Sequence, residues 1–187
     1  MNDLTNVVPI QISKLDAARR QLVTAIRLYF ANTDPVSTHT LAAASLGILG
    51  DLDKHGPNTG TMFDHIERYV IPDQIATVRK ALRKAQNFFK HADEDPESVL
   101  EYYPTNPLAI LWAATEKYNE LAKEDILETA ALRTWVIIRN PGILLSPYRE
   151  QVEGLKLGKD FSPEMRSQYF EAFSTAYARG FAQQFRS

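Results

Sequence analysis

The sequence predicts an all-α fold, a single-domain bundle of six or seven helices. Apolar residues recur at steps of three and four along most of the chain, the signature of one buried helix face. No segment sustains the alternation of period two that a half-buried strand requires. Proline, glycine and Asn-Pro punctuation cuts the 187 residues into helix-length pieces. A chain of this length can bury roughly 70% of the surface it exposes when unfolded, so one core suffices.

Residues 1–12 read as a loose N-terminal arm, and 13–187 as one helical domain with a core over about 13–139 and a C-terminal extension over 140–187. Ser13, with Asp16 three residues on, marks the start of a first helix that runs to about Ala31. Leu15, Leu22, Ile26 and Tyr29 form its core stripe, with Ala18 and Ala25 between them. Asp34-Pro35 is an N-cap acid followed by proline at the first helical position. The helix it opens, to about His55, has so wide an apolar arc that it reads as the most buried of the set. Gly47 and Gly50 lower its propensity, and close approach of a neighbouring helix is the expected reason.

A loop over 55–60 leads to a short helix capped by Thr61. Pro72 to Pro96 then forms a strongly two-sided helix, the segment that is the best functional candidate. Ile75, Val78, Leu82, Ala85, Phe89 and Ala92 mark its core face for about five turns. Segment 96–105 has no clear pattern. Helices follow over about 106–122 and 124–139, the second ended by Asn140-Pro141-Gly142. Ser162-Pro163 opens a last, aromatic helix carrying Tyr169, Phe170, Phe173, Tyr177, Phe181 and Phe185. Those rings outnumber what one buried face needs, which implies contact with a second chain and a homodimer.

Composition narrows the chemistry. The net charge of −2 offers no general attraction to nucleic acid, so a basic site must be local. Zero cysteines exclude disulfides, Cys-ligated zinc, iron–sulfur clusters and a thiol nucleophile. The opening residues lack the basic start and apolar core of a signal peptide, and no apolar run reaches membrane-span length. A cytoplasmic location and no membrane contact are expected.

The local basic site is on the 72–96 helix. Between Asp73 and Asp93 stand Arg79, Lys80, Arg83, Lys84 and Lys90, with no acid. At 100° per residue, Lys80, Lys84, Asn87 and His91 form a stripe away from the core face. Histidine titrates near neutrality and can act as general acid or base, while lysine can stabilise a phosphoryl oxyanion. The candidate catalytic set is therefore His91 and Asn87 with Lys84 and Lys90, and the stripe is a candidate surface for RNA or an acidic partner. The competing reading is a solvated polar face whose late His and Lys complement the helix dipole.

A weaker alternative is a metal or small-ligand cluster of His39, His91 and Asp93. Asp51 to Gly56 resembles the first half of a calcium loop, but Met62 stands where the bidentate Glu belongs. Gly56 to Thr61 lacks the Gly-Lys-Ser/Thr of a phosphate loop. No cofactor is implied.

Three segments, SKLDAARRQL (13–22), DPVSTHTLAAA (34–44) and NFFKHADEDP (87–96), resemble a family of uncharacterised bacterial all-α proteins over about the first 135 residues. That likeness carries no established activity. Gln86-Asn87-Phe88-Phe89-Lys90-His91 also resembles the Arg-polar-x-x-x-His signature of HEPN domains, helical bundles that often dimerise and include RNA-cleaving toxins. The resemblance implies a HEPN-like up-down core and metal-independent ribonuclease chemistry at His91. Gln86 stands at the Arg position, which leaves Lys84 or Lys90 to supply the charge. Gln86 and the low net charge favour a non-catalytic interaction or regulatory module over a ribonuclease.

Overall fold

A computed structural model describes residues 8–54, 72–93, 95–140, 150 and 163–180. All regular structure among them is helical. α1 spans Lys14–Phe30, α2 Pro35–Lys54, α3 Ile75–Phe88, α4 Pro107–Ala122, α5 Leu127–Arg139 and α6 Arg166–Ala178. Single 3-10 turns, Pro72–Gln74 and Pro163–Met165, lead into α3 and α6. The expected helix at 61–70 and the segment after Pro141, apart from residue 150, lie outside the described residues until Pro163.

Two starts form as their sequences dictate. The Ser13 hydroxyl accepts the Asp16 N–H at 3.1 Å, while the Asp16 carboxylate pairs with Arg20 instead of closing the box. Asp34 accepts the N–H groups of Val36 at 3.1 Å and Ser37 at 2.9 Å, and these contacts with Ser37 and Val36 hold its carboxyl below the ordinary range. Asn32, in the left-handed region at φ 52°, turns the chain between α1 and α2.

The core sits between α1, α2 and α4, with α5 and α6 closing one side. Small residues let the first three approach: Ala18 and Ala25 from α1, Ala42 and Ala43 from α2, Ala113 and Ala114 from α4 are all buried. The Ser45 hydroxyl donates to the Ala18 carbonyl at 2.8 Å, a bond from α2 to the α1 backbone. Leu22, Ile26, Leu46, Leu49 and Leu111 fill the remaining space. Gly47 has another role than expected, because a Cβ built there would meet nothing within 4 Å. Gly50, by contrast, is buried on α2.

An aromatic cluster joins α5 and α6 to this frame. Trp135 packs edge-on against Phe30, and its indole N–H donates to the Tyr29 hydroxyl at 3.2 Å. Phe170 stacks on Phe30 at 4.9 Å, and Tyr169 lies 4.9 Å from Trp135 while donating to the Ala131 carbonyl at 2.9 Å. Phe173 and Tyr177 continue the series, with Tyr177 donating to the Asp125 carbonyl at 3.0 Å. Four of the six aromatics, some of which were expected to meet a second chain, are thus engaged within this one. Phe181 and Phe185 lie outside the described residues.

The expected extent of the 72–96 helix is corrected. α3 is shorter than the five turns anticipated and touches the frame mainly at α2, through Leu82 and Ala85. Ala92 is exposed, Phe89 half-buried, and the side chains of Ile75 and Val78 lie outside the described set. A strongly two-sided helix needs one buried face only, which places it at the edge of a bundle. The wide apolar arc of α2 suits the centre.

One buried ion pair fixes α2 to α4. Lys117 Nζ lies 2.7 Å from Asp53 Oδ2, both side chains are 3% exposed, and Glu120 Oε2 is 3.6 Å from the same nitrogen. Such a pair gains little over apolar residues of equal volume, but losing one partner strands a buried charge. Lys117→Met should therefore cost about 3–5 kcal/mol, and adding Asp53→Leu should recover most of it. Urea denaturation of both variants checks this; equal losses in the single and double variants would contradict the pairing.

Candidate functional site

The stripe on α3 forms as a geometric feature. Lys80, Lys84, Asn87, Lys90 and His91 are exposed, as is Arg83. The helix ends at Phe88, but the chain stays coiled for another turn because the N–H groups of Lys90 and His91 both donate to the Asn87 carbonyl at 3.0 Å. Asn87 and His91 therefore remain one turn apart. The side chain of Arg79 lies outside the described set. Acidic residues follow at once: Asp93, Asp95, Glu97 and Glu101 are exposed beyond the end of the helix. The structure thus presents cations along α3 and acids after it, on an open surface.

His39, His91 and Asp93 do not come together. His39 is 1% exposed, whereas His91 and Asp93 are in solvent. No three His, Asp or Glu side chains among the described residues are grouped to hold a metal ion. The reason lies in the phase of α3: its buried face turns toward α2, and His91 is on the opposite side.

His39 instead joins an aromatic cluster that sequence reading missed. Its Nδ1 is 2.8 Å from the Tyr102 hydroxyl, and its ring meets Phe89 and Tyr102 edge-on at 5.6 and 5.7 Å. Phe89 and Tyr102 pack at 5.1 Å, closing a three-ring unit among α2, the end of α3 and the 96–105 segment. Burial pushes the imidazole down from 6.5 to about 4, with a hydrogen bond to the Leu82 backbone acting in the other direction. Burial likewise raises the Tyr102 hydroxyl, helped by the charge on Asp34. A neutral imidazole and a neutral phenol share the hydrogen bond at physiological pH. The unit is a structural clasp, and the only hint of it in the sequence is a polar residue, His39, at the start of the most apolar helix.

No family model matches the chain, and no curated protein or solved structure matches it. Function has to be read from the geometry.

The clasp carries a pH dependence with a definite sign. Unfolded His39 takes up a proton near pH 6.5, folded His39 only near 4, so stability is full above 6.5 and falls as pH drops toward 4. The loss attributable to His39 should approach about 3 kcal/mol at the low end, at 1.36 kcal/mol per pH unit. His39→Phe should flatten the stability profile between pH 6.5 and 4 relative to wild type. Parallel profiles for the two proteins would contradict it.

Proposed function

We propose that the chain is a non-catalytic interaction module whose α3 offers a cationic face to a polyanion, with RNA as the class of partner. The carrying observation is the division of α3. Leu82 and Ala85 are buried, while Lys80, Arg83, Lys84, Asn87, Lys90 and His91 are exposed. An open helix face keeps these groups in water. That suits contacts to phosphate and does little for acid–base catalysis, which gains most in a dry, preorganised site. Lys80 to Lys90 spans about 15 Å of helix axis, enough for a few phosphates. With a net charge of −2, the attraction is local and sensitive to salt.

A HEPN-like ribonuclease is the second reading, favoured by one observation: Asn87 and His91 hold one-turn spacing on the exposed side with Lys84 and Lys90 near them in sequence. Binding and cleavage are separated in one set of tubes. Single-stranded RNA should bind at low salt, with log affinity falling linearly in log salt. Lys80→Glu with Lys84→Glu should weaken binding at least tenfold, and the RNA should stay intact. Unchanged affinity would overturn the proposal. Cleavage that survives EDTA and disappears in His91→Ala would install the ribonuclease in its place.

Self-association as a homodimer belongs to the same proposal. It is supported by the apolar series Val8, Ile10 and Ile12 ahead of α1, exposed by 83%, 68% and 48%. Sedimentation velocity at micromolar concentration should show a dimer that Ile10→Asp dissociates. A wild-type monomer removes that part.

A further inference from the structure

α3 carries an aromatic ring at the border of its cationic stripe. Phe88 stands four residues after Lys84 and three before His91, the spacings at which helical side chains are neighbours. The coil continues to His91, whose N–H donates to the Asn87 carbonyl at 3.0 Å. Lys84 and His91 are exposed and Phe88 is half-buried. At 100° per residue, Phe88 falls between the buried Ala85 and Lys84, at the edge of the core face.

The ring is anchored from behind. It packs edge-on against Phe89 at 6.0 Å, and Phe89 itself meets both His39 and Tyr102 in the clasp. The clasp therefore orders an aromatic side chain that remains partly open to solvent beside a lysine. Proteins that hold single-stranded nucleic acid combine these two features, a cationic track for the backbone and rings on which bases stack. Bases within a duplex are already stacked on one another and cannot use such a ring, whereas unpaired bases can be splayed onto it.

We infer that Phe88, with His91 beside it, is a base-stacking platform, and that the RNA taken by α3 is single-stranded. The inference rests on the reading of α3 as an RNA-binding face. It adds which part of the RNA is held: an unpaired base on Phe88, with Lys84 on a neighbouring phosphate. Every base has a π face, so the platform tolerates any sequence.

Fluorescence anisotropy at low salt separates stacking from charge. The probes are a short labelled uridine RNA, the same strand annealed to its complement, and an abasic strand of equal length. Wild type should bind the single strand about fivefold or more tighter than the abasic strand, and tighter than the duplex. Phe88→Leu keeps an apolar contact for Phe89 but loses the π face. It should bring single-strand affinity down to that of the abasic strand and leave abasic binding unchanged, whereas Phe88→Trp should hold or raise single-strand affinity. Unchanged abasic binding also shows that the variant has folded. Should Phe88→Leu not fold, the wild-type comparison of single and abasic strands decides alone. Equal wild-type affinity for those two strands, tighter binding of the duplex, or single-strand affinity that survives Phe88→Leu would overturn the inference and spare the cationic face. Binding of none of the three probes would remove the RNA reading itself, and the platform with it.

Discussion

The close approach of α1, α2 and α4 is the constraint on which the rest depends. Six buried alanines keep the three backbones near enough for the Ser45 hydroxyl of α2 to reach the Ala18 carbonyl of α1 at 2.8 Å. A larger side chain at Ala18, Ala42 or Ala113 would overfill the seam, and close-packed interiors do not absorb such changes freely. Once that seam closes, the outer contacts find their places. Lys117 meets Asp53 across α2 and α4, Arg27 reaches Glu128 at 2.6 Å, and Trp135 donates to Tyr29.

Much of this was legible in the sequence, because helix boundaries are local. The Ser13 and Asp34 side chains cap their helices by accepting N–H groups two or three residues on, and the step-three, step-four apolar pattern names the face of α1. What could not be read is which face meets which. Asp53 and Lys117 are separated by 64 residues, and Asn32 and Arg166 by 134. Nothing in either neighbourhood marks the pairing. Asp53 lay in a run that invited a calcium reading, and nothing near Arg166 set it apart from the other cations. The strongest pattern in the chain, the two-sided segment 72–96, said nothing about position. Contrast between two faces measures how sharply a helix divides core from solvent. It does not place the helix at the centre.

The candidate site follows the same division. The stripe Lys80, Lys84, Asn87 and His91 could be read from angular spacing alone, and it forms. Whether it lined a cleft or open solvent depended on how α3 sits on α2, which no local signal encodes. The face is exposed. That explains why His39 and His91 part company: the same rotation that exposes His91 brings Phe89 against His39 and Tyr102. α3 is held by Leu82, Ala85 and that clasp, a smaller attachment than the alanine seam.

Native-state hydrogen exchange, with and without single-stranded RNA at low salt, tests this arrangement most directly. Amides of α1, α2 and α4 should exchange only through global unfolding, those of Ile75–Phe88 through a cheaper local opening, and RNA should slow exchange selectively in α3. Protection of α3 equal to that of α1 and α2, or slowing by RNA that spares α3, would contradict the account.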